Sequence, residues 1–175
     1  ELARLSMLAT IQSDLIGLYS STENYDKELN TVRKCFSIAS QINDNTLLSQ
    51  VYRHLGRIYA RSNRLDSALI LYEKSLEYAA KAGYRKYSNM AFNTIGDIYL
   101  KKQLKSKALE NYFNALQISK EQNNYWGIGA SYISIAKYYN AINNLDSALY
   151  YGKAGLAILK NSGQVRYYID AYNAL

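Results

Sequence analysis

Residues 55–59 read LGRIY, and residues 95–99, forty positions on, read IGDIY. The pattern stands forty further as IAKYY at 135–139 and forty back as LIGLY at 15–19. The agreement extends outward from these stretches. Leu15, Leu55, Ile95 and Ile135 form one column, and Tyr19, Tyr59, Tyr99 and Tyr139 another. Tyr52, Phe92 and Tyr132 precede the pattern in three repeats. Later come Glu28, Ala68, Ala108 and Ala148, then Leu29, Leu69, Leu109 and Leu149. Cys35, Ser75, Ala115 and Gly155 make a column of small residues, followed directly by Phe36, Leu76, Leu116 and Leu156.

Each repeat holds two amphipathic helices. Tyr52, Leu55 and Tyr59 fall at i, i+3 and i+7, one face of a helix, and Ala68, Tyr72, Ser75, Leu76 and Ala79 make a second such face. The segment SNRLDS between them carries turn chemistry, and Asp66 or Ser67 is expected to cap the second helix. The turns between repeats fall at QINDN (41–45), AGYR (82–85), EQNN (121–124) and NSG (161–163). Gly56, Gly96 and Ala136 beside the large Leu or Ile, with Ala68, Ala108 and Ala148 opposite, let helices interlock by alternating large and small side chains. The spacing predicts an all-α chain of stacked antiparallel helix hairpins.

Composition narrows the class. In 175 residues there is no proline, 49% of residues are hydrophobic, and 21 basic side chains stand against 14 acidic ones. That excludes a disordered chain and suits helices joined by short turns. The net charge of +7 leans toward an acidic partner or surface. No apolar run is long enough to span a bilayer. The opening ELARLSMLAT has neither the basic start nor the long apolar stretch of a signal peptide, and the sequence is expected to be part of a longer chain. A single cysteine, Cys35, rules out an internal disulfide and fits a cytoplasmic or an extracytoplasmic location.

No catalytic constellation is present, and the sequence is not expected to be an enzyme. His54 is the one histidine; with Cys35 it cannot make an ordinary zinc site, and Cys35 sits in the small column, where packing explains it. GIGAS at 127–131 has glycine spacing but no preceding strand to make a phosphate loop. No cofactor or metal is expected. Nineteen tyrosines interleaved with basic residues raise a nucleic-acid reading, but many fall in the repeat columns, where core packing accounts for them.

The pattern of an aromatic, Leu-Gly, Tyr and then small residues flanking an aromatic resembles the tetratricopeptide repeat family. The resemblance covers repeats at 1–45, 46–85, 86–124 and 125–163 of a single array, with 164–175 as the first helix of a fifth. The unit is longer than the usual ~34 residues, the closing proline is missing, and the added residues fall between units. Long units of this kind look like those of bacterial signalling proteins, where repeats sense peptides or regulate an attached output domain. The resemblance implies a right-handed α-solenoid with the first helices lining a concave groove, and a protein- or peptide-binding module used for sensing or scaffolding. Side chains off the buried stripe of those helices are Arg53, Arg57 and Arg61, then Asn93, Asp97 and Lys101, then Ile133 and Lys137, flanked by Gln50 and Asn140. This groove is expected to be basic and to take an acidic segment, with Asp97 able to pair with Arg57. Alternatives are self-association through an exposed terminal repeat, where Ile169, Tyr172 and Leu175 would lie, and nucleic-acid binding.

Overall fold

The computed structural model of the chain describes residues 2–22 and 24–161. Eight helices follow one another: α1 (Leu2–Ser21), α2 (Tyr25–Gln41), α3 (Asn45–Arg61), α4 (Leu65–Lys81), α5 (Ser88–Lys101), α6 (Lys105–Glu121), α7 (Tyr125–Ala141) and α8 (Leu145–Asn161). The described residues contain no strand. The expected helix at 164–175 lies outside the described residues.

The turns explain the regularity. Asn43, Asn63, Gly83, Gln103, Asn123 and Asn143 all have positive φ, between 51° and 63°. They stand twenty residues apart, so the forty-residue repeat is itself two beats of one helix and one turn. After each, the next N–H reaches back five residues: Asp44 to the Ala39 carbonyl, Arg64 to Tyr59, Tyr84 to Ala79, Leu104 to Tyr99, Asn124 to Ser119 and Asn144 to Tyr139, at 2.9–3.1 Å. Such left-handed termini satisfy carbonyls that the helix leaves open. Asn and Gly tolerate this conformation best, which is why these residues recur there. The helices between the turns are mostly 17 residues long, as in α2, α3, α4 and α6, so the added length of the repeat lies in the helices.

The helix starts differ from the sequence expectation. Residue Arg64 holds the cap position of α4 without a side-chain bond, and Asp66 lies inside the first turn. There its charge complements the positive end of the helix rather than capping it. Side-chain caps come one residue ahead of the helices instead. Asp44 Oδ1 accepts from Leu47 N at 3.0 Å, Asn124 Oδ1 from Gly127 N at 3.0 Å, and Asn144 Oδ1 from Ser147 N at 3.1 Å.

The chain divides into two compact units, Glu1–Arg85 and Lys86–Leu175. Each stacks two helix hairpins around its own core. In the first, Ile16 of α1, Val32, Cys35 and Ala39 of α2, and Leu47, Leu48 and Val51 of α3 are buried together. Ser75 Oγ donates to the Ser49 carbonyl at 2.8 Å and ties α4 to α3. In the second, Ala108, Tyr112 and Leu116 of α6 pack on Ile128, Ile135 and Tyr138 of α7.

The glycine column works through a tyrosine of the same hairpin. A Cβ on Gly96 would lie 2.5 Å from the Tyr112 ring, and one on Gly56 would lie 3.0 Å from the Tyr72 ring. The ring lies flat on bare backbone, and both tyrosines are buried. In α1 the same column holds Ile16, which is buried, and its neighbour Gly17 has nothing within 4 Å of its would-be Cβ. All four members of the later small column, Cys35, Ser75, Ala115 and Gly155, are buried as expected.

Candidate functional site: polar stripes on the first helices

On α3 the stripe begins with Gln50 and Arg53, both half-buried, and continues through Arg57, half-buried, to Arg61, exposed. It is not the free basic ridge that spacing alone suggests. Glu28 of α2 is fully buried, in a column otherwise filled by Ala68, Ala108 and Ala148. Arg57 donates to Glu28 Oε1 at 2.7 Å, and Arg61 donates to Glu28 Oε2. Taking a carboxylate out of water is costly without a counter-charge, and here two guanidinium groups supply it. The carboxylate partner of Arg57 is therefore Glu28, where the sequence suggested Asp97. Arg61 also lies over the ring of Tyr25 at 4.5 Å. Tyr25, Ile58, Arg61 and Ser62 line a surface hollow of about 230 Å³ beside this pair.

His54 stands between two of the arginines. Arg53 approaches its Nε2 at 2.9 Å and Arg57 its Nδ1 at 3.1 Å. Both approaching groups are donors, and a neutral imidazole has one acceptor nitrogen, so only one of them is accepted. Burial, then the charges of Arg53 and Arg57, hold the His54 pKa well below its ordinary value. His54 is thus a neutral packing residue. The Cys35 thiol is buried and pushed up to about 11, chiefly by loss of solvent and then by Asp44, which makes it inert.

In the second unit the stripe runs along α5 as Asn93, half-buried, and Asp97 and Lys101, both exposed. Asn93 Nδ2 donates to Ser131 Oγ of α7 at 3.2 Å. Its Oδ1 is buried without a hydrogen-bond partner. Asp97 accepts from the Tyr112 hydroxyl at 2.8 Å. Its carboxyl is open to water on one side and hemmed in by packed chain on the other. That crowding raises its pKa, opposed by the Tyr112 hydrogen bond and by the charges of Lys137 and Lys101. The same contact raises the Tyr112 pKa, with burial as the larger cause.

On α7, Lys137 and Asn140 are placed differently from Ile133: Lys137 is exposed, whereas Ile133 is not available to a partner. Asn140 is exposed as well. Ile133 is buried with Leu159, against Trp126 and Leu156. The reason is Gly155 of α8: a Cβ there would fall 2.9 Å from Ile133 Cδ1, so the missing side chain makes the space that Ile133 fills. Gly127 and Gly129, read from sequence as a weak phosphate-loop spacing, are helical residues of α7 against which other side chains pack.

Among the described residues no group of His, Cys, Asp and Glu could hold a metal ion, and no helix is long and apolar enough to cross a membrane.

Residues 7–81 match the tetratricopeptide repeat family. No curated protein matches the chain. Among solved structures it is similar to BtubC from P. vanneervenii, at 22% identity and a TM-score of 0.78, over 98% of this chain and 74% of that one. It is also similar to a signal-transduction ATPase with numerous domains from Pyrococcus horikoshii that carries a tetratricopeptide repeat sensor. There the identity is 25% and the TM-score 0.74, over 95% of this chain but 25% of that one. Aspartyl phosphate phosphatase F from Bacillus subtilis aligns at 16% identity and a TM-score of 0.85, over 98% of this chain and 45% of that one. The chain thus spans half or less of the latter two. Residues 7–81 belong to the tetratricopeptide repeat family, and the later hairpins are built on the same columns of side chains.

Proposed function

We propose that the chain is a protein- or peptide-binding module, the sensing or scaffolding segment of a longer bacterial regulatory protein, and that partners are taken on the polar stripes of the first helices. Tetratricopeptide repeats are commonly protein-interaction modules, and one similar protein carries its repeats as a sensor. The observation that carries the reading is Asn93. One end of its amide is fixed by Ser131, while its buried Oδ1 remains an acceptor. A buried acceptor without a donor is costly, so the α5 stripe keeps a polar residue, between exposed Asp97 and Lys101 and the α7 helix, where an apolar one would serve stability better.

Positive charge is in excess on each stripe. Arg57 and Arg61, with Arg53 on the same line, outnumber Glu28 in the first unit, and Lys101 and Lys137 outnumber Asp97 in the second. The favoured partner is therefore an acidic segment. Its test is fluorescence anisotropy with labelled acidic and basic peptides at two salt concentrations. Acidic peptides should bind more tightly, and salt should weaken them. Lys101→Glu with Lys137→Glu changes only exposed side chains and should cut that affinity at least tenfold. Equal affinity for the two peptide classes, unchanged in the double variant, would move the partner surface elsewhere.

Self-association is a second reading, favoured by α1. Met7, Leu8 and Ile11 are exposed, whereas Leu47, Leu48 and Val51, forty positions on, are buried beneath α2. An apolar face of this kind suits another helix. Sedimentation at several concentrations, repeated with Met7→Lys and Ile11→Lys, checks it. A monomer at all concentrations would dismiss it.

A further inference from the structure

Tyr25 opens α2, Ile58 and Arg61 lie in the last turn of α3, and Ser62 stands just past it. Together they line the hollow of about 230 Å³ beside the buried Glu28. Its walls are of two kinds. The exposed Tyr25 ring and the Ile58 side chain offer apolar surface, while Arg61 lies over that ring at 4.5 Å and brings a charge to the same place.

Arg61 is held in position before anything binds. Its Nη2 donates to Glu28 Oε2, and the Tyr25 ring covers one face of the guanidinium. A guanidinium carries five N–H donors. None of the others meets a protein partner among the described residues. A side chain fixed in this way loses little freedom when a carboxylate arrives. With Arg57 on the other Glu28 oxygen, the group keeps a net positive charge.

The end of α3 does not cancel that charge, because its last carbonyls are occupied. The Ile58 carbonyl accepts from Ser62 N and Ser62 Oγ, the Tyr59 carbonyl from Arg64 N, and the Ala60 carbonyl from Asn63 N. Both Glu28 oxygens are bonded to the arginines. Asp26, the residue after Tyr25, does not line the hollow. Apolar walls and oriented carboxylate donors therefore meet at one depression.

We propose that this hollow receives one large apolar side chain, an aromatic one above all, of a bound acidic segment, while Arg61 pairs with the carboxylate of a neighbouring Asp or Glu in that segment. The inference rests on the partner-binding reading of the stripe and adds a sequence requirement to it. Acidity alone does not suffice, and an apolar residue must stand next to the acid. Tyr25 and Ile58 then set specificity, and Arg61 sets the register of the segment.

The test is fluorescence anisotropy with two labelled peptides of equal charge, one with a single Phe between Asp residues and one with Ala in its place. The wild type should bind the Phe peptide about tenfold more tightly, as burial of part of an aromatic ring implies. Tyr25→Ala, which takes away one wall, should remove most of that preference while the Ala peptide binds as before. Ser62→Phe, which fills the hollow from its rim, should abolish the preference. Both positions are exposed, so circular dichroism of the two variants should match the wild type. Equal affinity of the wild type for the two peptides would overturn the inference and leave acidic binding itself standing. So would a preference unchanged in both variants. Binding of neither peptide would overturn the stripe reading and this inference together.

Discussion

Arg57 and Glu28 meet at 2.7 Å across the α2–α3 interface, with the carboxylate fully buried and the arginine side chain one-third exposed. The difference in exposure makes the pair asymmetric. Removing the carboxylate leaves Arg57 and Arg61 able to turn toward water. Removing the arginines leaves a buried negative charge with no compensation. Arg57→Ala with Arg61→Ala should therefore cost about 3–5 kcal/mol, whereas Glu28→Ala, which restores the alanine of the other repeats, should cost roughly 1–2 kcal/mol. Urea denaturation of the three proteins checks this. Equal losses would mean that the carboxylate is not the buried partner.

His54 sets a pH dependence whose sign follows from its environment. Its folded pKa is held below 6.5 by burial and two arginines, so the folded chain resists a proton that the unfolded chain accepts. Its contribution is complete above the unfolded value and is lost as pH falls below it, by up to about 1.4 kcal/mol per pH unit. Melting temperatures should fall from pH 7 to pH 5. His54→Gln should flatten that slope, and an unchanged slope would assign it to other groups.

Two helical glycines should respond in opposite directions. Gly96→Ala drives a methyl into the Tyr112 ring, at 2.5 Å, and should destabilise by about 1–3 kcal/mol. Gly17→Ala meets open space inside a helix and should stabilise by roughly 0.5–1 kcal/mol. Thermal melts of the pair decide the matter, and shifts of the same sign would contradict the packing described for α5 and α6.

Among the described residues, Gln103 is the one left-handed turn residue that is neither Asn nor Gly, with φ of 61°. Gln103→Gly should stabilise by about 1 kcal/mol because it relieves the Cβ strain of that conformation. Chemical denaturation reads the change. The reciprocal Gly83→Ala should destabilise by a similar amount.

The fold was legible because packing columns are written in side-chain size. Gly96 and Tyr112, or Ala68 and Ser75, identify themselves by recurrence at a fixed step. The twenty-residue beat was harder to see, since Asn63, Gly83 and Gln103 share a backbone angle and not a chemistry. LDSA at 65–68 drew the cap to Asp66, although the helix begins before it.

The polar stripe was legible in part. Spacing placed Arg53, Arg57 and Arg61 on one line, but the carboxylate that pairs with Arg57 and Arg61 lies 29 residues from Arg57 along the chain and is brought there by packing of α2 on α3. Glu28 is the odd member of a column otherwise made of alanine, and only the packed helices show it as the counter-ion of Arg57 and Arg61. Ile133 could not be assigned to the interior without knowing that Gly155, on another helix, makes room for it.

The evenly spaced left-handed turns also limit how such a chain can change length. One residue inserted within α6 ahead of Tyr112 would rotate every later side chain of that helix by about 100° and turn the Tyr112 ring away from Gly96. An insertion of a complete helix and its turn reverses the chain direction, and two restore it without disturbing the phase of the later hairpins. Gain or loss of material is therefore tolerated in whole hairpins, and single-residue insertions belong in the turns, outside the helices.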